Sequence, residues 1–280
     1  MKEKVKLALV LSGGSSFGIS WELGYLAGLA KAGLDLEVFD LILGTSAGAR
    51  VGAMVTSDHT WEELHRRYIL GAGEDFRPQI DGKAVFARYA QIAQEAQSPE
   101  NWVQLQSEYG KETKTCDPQE RLAEMDKRYA DIGWSDKLYI TAVQADSNER
   151  VIWGKDAGVS LSQALCATGS LPGLWPPTEI EGALYCDGGL YSMENADLVE
   201  AEKVFVLSTH LPVEVPHPLE QQQAFLEDKG VDVKVIVPTD ALQQYGYQSM
   251  NESIMQPVYE QAFEQGKAEI ETVITFLKNE

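Results

Sequence analysis

From Val5 to Leu11 the chain is apolar at every position except Lys6. Such an unbroken run suits a central strand buried on both faces. After the loop Ser12-Gly13-Gly14-Ser15-Ser16-Phe17-Gly18, apolar positions recur at Trp21, Tyr25, Leu26 and Leu29, a helical spacing. It predicts a helix from about Ile19 to Lys31, with Gly33 as its C-cap. The run Val38 to Leu43 reads as a second strand, and the small-residue stretch Ala47 to Thr56 as a second helix. Strand, helix, strand, helix in such short order implies parallel βαβ units with right-handed crossovers. The two loops that follow the two strands then share one edge of the sheet, where sites form in open α/β folds.

Residues 57–135 differ in texture, with helical windows at Trp61 to Leu70, Val85 to Gln97 and Gln119 to Tyr129 between polar linkers. They read as a helical insertion flanking a site or as a helical layer on the sheet. Leu138 to Ala145 and Arg150 to Trp153, joined by Asp146-Ser147-Asn148, form a hairpin pattern that makes the sheet mixed. A short helix from about Leu161 to Ala167 follows. The turn-rich stretch Gly169 to Pro177 then leads into an extended segment, Thr178 to Cys186, that ends in Asp187-Gly188-Gly189. Strands are expected at Val204 to Leu207 and Val233 to Val237. The last helix, Pro257 to Leu277, has Tyr259, Phe263, Ile270, Val273, Ile274 and Leu277 near one face and glutamates on the other. That polarity favours docking on the domain's own core over an anionic membrane.

With 280 residues, 44% of them apolar, the chain can bury a substantial core, and one large α/β domain is favoured over two small ones. A formal charge of −20, from 23 basic and 43 acidic residues, argues against nucleic acid as a partner and against docking on anionic lipid through a basic surface. It leaves lipid-like substrates and a transient membrane contact open. Cys116, Cys166 and Cys186 have no C-x-x-C spacing, so neither a disulfide framework nor a zinc site is suggested. A cytoplasmic protein without a leader, a membrane span, a metal or a cofactor is the expectation.

The candidate chemistry starts at Gly44-Thr45-Ser46-Ala47-Gly48, a G-x-S-x-G sequence between predicted strand and predicted helix. A serine on so tight a turn needs flanking glycines, since a Cβ there meets the neighbouring backbone. The turn exposes the Ser46 hydroxyl and aims the positive end of the next helix at charge developing on a substrate carbonyl. Backbone N–H groups of Gly13, Gly14 and Ser15 offer a concavity for an oxyanion. A phosphate cradle is the weaker reading of that loop, which lacks both the Walker lysine and the G-x-G-x-x-G spacing. Two bases are open to Ser46. The order Ser46, Asp187, His210 matches a Ser-acid-His triad, although the early nucleophile leaves little chain for the usual sheet of that fold. Alternatively, Asp187 acts directly, the two glycines after it permitting close approach to the turn. His59 and His65 read as surface residues, and His217 lies near His210 in a proline-rich loop.

Three ordered motifs, the loop Ser12 to Gly18, Gly44-x-Ser46-x-Gly48 and Asp187-Gly188-Gly189, together resemble the patatin-like phospholipases and esterases. Their catalytic fold is shared with the cytosolic phospholipase A group. The likeness covers about Val5 to Ser208 and implies a three-layer α/β/α sandwich around a mixed, mostly parallel sheet, with residues 1–280 as one domain. It also implies a Ser46–Asp187 dyad without catalytic histidine, an oxyanion hole at Gly13, Gly14 and Ser15, and hydrolysis of a lipid acyl ester through an acyl-enzyme. Gly18, Gly44, Gly48, Gly188 and Gly189 support the motifs. Transfer of the acyl group to an alcohol and a non-catalytic lipid-binding regulator are the other roles open to this fold. Two positions depart from the family pattern: Ser15 stands where a third glycine is common, and Phe17 where a basic residue is common. The missing charge at Phe17 favours a neutral ester or lysolipid over a phosphate headgroup.

Overall fold

The computed structural model describes residues 4–72, 78, 80–213 and 215–278. Residues 1–3, on which the leader expectation rests, lie outside the described residues, as do 73–77 and 79 of the 57–135 region. Among the described residues, eight strands form one sheet: β1 (Val5–Leu11), β2 (Leu41–Gly44), β3 (Leu138–Gln144), β4 (Arg150–Trp153), β5 (Thr178–Ile180), β6 (Ala183–Asp187), β7 (Ala201–Leu207) and β8 (Asp232–Ile236). The first helices are α1 (Ser15–Lys31), α2 (Ala47–Val55) and α3 (Trp61–Leu64), the last continued by a wide turn, His65–Leu70. Then come α4 (Gly82–Glu95), α5 (Pro99–Glu112), α6 (Pro118–Arg128) and α7 (Leu161–Thr168). The chain closes with α8 (Leu219–Asp228), α9 (Asp240–Gln243) and α10 (Met255–Lys278).

Strand β1 lies at the centre, parallel to β2 on one side and to β7 on the other. Leu7, Leu9 and Leu11 point into one core with residues of α1, α2, α7 and α10, while Ala8 and Val10 point into a second core that includes Leu226 of α8. Helices therefore cover both faces, and the unbroken apolar run of β1 follows from that. The expected mixed α/β sheet between helical layers is the observed fold. Helix α10 lies against α1 at backbone distance. A methyl on Gly28 would come 2.1 Å from the Phe263 carbonyl oxygen, and one on Gly266 2.2 Å from that of Tyr25. Trp21 Nε1 donates to Gln265 Oε1 at 3.1 Å across this contact.

The sheet register brings two distant segments together. Ile140 pairs with both Gly44 and Trp153, and Ala142 with both Val151 and Asp187. A strand residue has one partner on each side. Since β4 holds one edge of β3 throughout, β2 and β6 share the other edge, end to end. Where β2 stops at Gly44, β6 arrives from the opposite direction and stops at Asp187.

Several element boundaries differ from expectation for local reasons. Helix α1 starts at Ser15 rather than Ile19, because Ser15 at φ 53° turns the chain directly into the helix. Strand β2 starts at Leu41, since Asp35 caps a tight turn at Leu36–Val38 by accepting from Glu37 N–H at 3.0 Å. The extended segment Thr178 to Cys186 is a hairpin, broken where Glu181 and Gly182 both take positive φ. That is the two-residue turn that matches strand twist. Helices α5 and α8 were not anticipated, although Ser98-Pro99 is a start signal and Ser98 Oγ accepts from Asn101 N–H at 3.2 Å.

Candidate active site

Only Thr45 and Ser46 separate β2 from α2, so the chain reverses within two residues. Ser46 takes φ 53° and ψ −113°, a conformation L-residues rarely adopt. Neighbouring elements hold it there. A Cβ at Gly44 would lie 2.4 Å from Ala49 Cα, and one at Gly48 2.3 Å from the Leu11 carbonyl oxygen, so only hydrogen fits at either place. Ser46 N–H donates to Thr168 Oγ1 at 2.8 Å. Beneath the turn, Thr45 Oγ1 lies 2.9 Å from Thr141 Oγ1 and accepts from Asn195 Nδ2 at 3.1 Å.

Asp187 faces this hydroxyl from the end of β6. Ser46 Oγ donates to its Oδ2 at 2.7 Å, and Gly189 N–H to its Oδ1 at 2.8 Å. The side chain is buried, and burial pushes the carboxyl up to about 6. The hydrogen bonds from Gly189 and Ser46 pull the other way, as do the charges of Arg121 and Arg50. Gly188 lies against Thr141, where a Cβ would stand 2.4 Å from Oγ1. Asn195 ties the two motifs together, donating to Gly188 O at 3.2 Å as well as to Thr45. Sequence reasoning missed it. Its φ of 55° is one that asparagine tolerates better than most side chains, which was the available signal.

The glycine loop lies against the turn, with Gly13 placed so that a Cβ would come 3.5 Å from Ser46 Cβ. One expectation is corrected there. Gly13 N–H donates to the Met193 carbonyl at 2.8 Å, so it is committed to the protein and not to an oxyanion. Gly14 N–H and Ser15 N–H find no acceptor among the described residues and stand at the first turn of α1. Gly18 seats the helix against α2, its Cβ position being 3.1 Å from Ala47 Cβ. Below the loop, fully buried Glu22 accepts from Ser12 N–H at 2.7 Å, and burial raises its carboxyl well above the ordinary range.

Ser46, Asp187 and Ser15 open into a cavity of about 310 Å³ with walls that include Ile19, Met54, Leu171, Trp175 and Met255. The 57–135 region supplies part of the wall through Tyr68, Ala72, Ile80 and Tyr129. Its helices also hold the Gly169 to Pro177 turn in place. Tyr89 OH donates to Pro172 O at 2.7 Å and Thr115 Oγ1 to Leu174 O at 2.6 Å. Arg121, buried, donates to Cys166 O, Ser170 Oγ and Pro176 O at 2.8, 2.8 and 3.1 Å and lies over the Trp175 ring.

No histidine lines the cavity among the described residues. His210 is exposed on its loop. His217 stacks on Tyr191 with ring centres 4.0 Å apart, and its burial there holds it below the usual imidazole range. His65 pairs with Gln256 and His59 with Arg67. The described residues contain no cluster of three or more metal-ligating side chains, and no described helix is long and apolar enough to cross a membrane.

The site thus joins a serine at a strand-to-helix turn, an aspartate beside it and a glycine loop against it, at one end of a mixed sheet. The patatin-like phospholipase family model matches residues 9–199, and the chain belongs to that family of lipid-hydrolysing esterases. No curated protein matches the chain. Among solved structures, VipD from Legionella pneumophila aligns over 96% of this chain and 67% of its own, at 12% identity and a TM-score of 0.45. The ExoU–SpcU heterodimer from the type III secretion system of Pseudomonas aeruginosa aligns over 99% and 52%, at 16% identity and a TM-score of 0.43. The chain thus spans about half the length of the latter match.

Proposed function

We propose that the protein hydrolyses acyl esters of lipids through an acyl-enzyme on Ser46, with Asp187 as its general base and no histidine. The observation that carries the reading is the 2.7 Å bond from Ser46 Oγ to a buried carboxylate whose proton affinity is raised to about 6. A carboxylate at its ordinary 3.8 is a poor proton acceptor, and burial improves the match to neutral pH. As Ser46 Oγ attacks the ester carbonyl, its proton passes to Asp187 Oδ2 and the carbonyl oxygen gains charge. Gly14 N–H and Ser15 N–H meet that charge, with the N-terminus of α2 adding a favourable field. Asp187 then protonates the departing alcohol, and a water activated by the same carboxylate releases the acid.

The test is turnover of p-nitrophenyl acyl esters of medium chain length. Ser46→Ala and Asp187→Asn each lower kcat by about 10² to 10⁴ or more, while His210→Ala leaves it unchanged. Loss in His210→Ala with activity kept in Asp187→Asn would overturn the dyad.

A further inference from the structure

The departure at Phe17 removes a positive charge from the glycine loop, and the structure shows that this position has no access to substrate: Phe17 is fully buried in the core. A cation enters the cavity from elsewhere. Arg50, one helical turn after Ser46 on α2, is the only Lys, Arg or His among the described residues that line the cavity. Its backbone N–H donates to Ser46 O at 3.4 Å, which fixes the turn between them. Its guanidinium lies by Gly169, where a methyl would stand 3.6 Å from Nη2, next to the Thr168 that holds Ser46 N–H. Its charge is felt at Asp187.

Arg50 differs from the other arginine near the dyad in being uncommitted. Arg121 uses its donors on three protein acceptors, whereas the Arg50 side chain makes no hydrogen bond or ion pair among the described residues. The half-buried guanidinium therefore keeps its planar set of donors free for an anion that enters the cavity. Apolar side chains, Met54, Leu174, Met255 and Ile19 among them, line the cavity together with Ser46 and the carboxylates of Asp187 and Glu252. An acyl chain satisfies those walls, and a planar five-donor fork beside the nucleophile satisfies a phosphate or phosphodiester a few bonds from the ester carbonyl.

We propose that Arg50 is the specificity residue of this site and binds the anionic phosphate of a glycerophospholipid or lysophospholipid, so that the protein prefers anionic acyl esters to neutral ones. The proposal rests on the hydrolase reading above and reverses the preference for neutral esters that Phe17 suggested. The α2 helix, rather than the glycine loop, supplies the charge.

The experiment compares 1-acylglycerol 3-phosphate with the monoacylglycerol of the same chain, both below their micellar concentrations. In the wild type, kcat/KM favours the phosphate ester about tenfold or more, and Arg50→Gln cuts that ratio by about ten- to a hundredfold, mainly through KM. Arg50→Lys keeps part of the preference, which a merely structural role for the fork would not predict. Added salt raises KM for the phosphate ester more than for its neutral partner in the wild type, a readout that needs no variant. Inorganic phosphate alone competes weakly, since it lacks the acyl chain; tight competition by free phosphate would mean an anion site unrelated to the lipid and would overturn the proposal. An equal ratio in wild type and Arg50→Gln would overturn it as well. If neither ester is cleaved, the hydrolase reading falls, and equilibrium binding of the same two lipids to Ser46→Ala protein decides the role of Arg50 separately.

Discussion

Replacing Asp187 by asparagine should make the protein more stable while making it inactive. Asparagine keeps the shape and both contacts, because its oxygen can accept from Gly189 N–H as the carboxylate does, and its amide can donate to Ser46 Oγ, reversing the bond that Ser46 now donates. What it removes is a buried charge. Burial raises the Asp187 carboxyl from 3.8 to about 6, so between those values the folded state binds more protons than the unfolded one. Stability from this group is therefore complete below pH 3.8 and is lost as pH rises through about 6. The loss amounts to about 3 kcal/mol, from roughly two units at 1.36 kcal/mol each. Urea unfolding of wild type and Asp187→Asn across pH is the assay. The variant should nearly match the wild type at about pH 4 and exceed it by up to ~3 kcal/mol above about pH 7, with most of the difference building up between about pH 4 and 6. The same ionisation should give kcat/KM of the wild type an acidic limb near about 6. A variant less stable than wild type by the same amount at both ends of the range would refute the burial argument.

Three further outcomes follow from the packing around the dyad. Arg121→Met removes three donations, to the carbonyls of Cys166 and Pro176 and to the Ser170 hydroxyl, although Cys166 O keeps Gly169 N–H and Ser170 Oγ as donors, and should cost about 2 to 4 kcal/mol in urea unfolding together with activity, since the Trp175 wall loses its support. Gly48→Ala drives a methyl to 2.3 Å from the Leu11 carbonyl oxygen; a loss of about 3 kcal/mol or more, or failure to fold, is expected on expression and thermal melting. Burial penalises a charge on Glu22, so Glu22→Gln, whose amide oxygen can still accept from Ser12 N–H, should be tolerated within about 1 kcal/mol at neutral pH, whereas Glu22→Ala removes the shorter of the two bonds from Ser12 N–H, the other going to Leu207 O, opens a cavity and loses about 2 to 4 kcal/mol.

The parts of the site that were readable in the sequence are those imposed by local backbone geometry. Gly44 and Gly48 flank Ser46 because a Cβ cannot pass Ala49 or Leu11, and that constraint writes itself into five consecutive residues. Asp187 was readable because β6 must stop where Gly188 meets Thr141, leaving a short glycine pair after the carboxylate. The parts that were hidden depend on partners far along the chain. Nothing near Gly13 announces that the Met193 carbonyl takes its N–H, and nothing near Asn195 or Arg121 announces the acceptors they satisfy. Arg50 was hidden for a similar reason. On a short helix of small residues it looks like a surface cation, and only the arrival of Gly169 and Leu174 from other segments turns its position into a cavity wall. Helix boundaries moved where one residue with positive φ, Ser15 or Glu181, replaced an expected stretch of loop or strand.

The rate at which a fluorophosphonate modifies Ser46, followed by intact mass, tests the dyad most directly, because it reports serine activation without any assumption about the substrate. Wild type and His210→Ala should react at the same rate, and Asp187→Asn about 10² to 10⁴ times more slowly. Modification that survives in Asp187→Asn and disappears in His210→Ala would contradict the account.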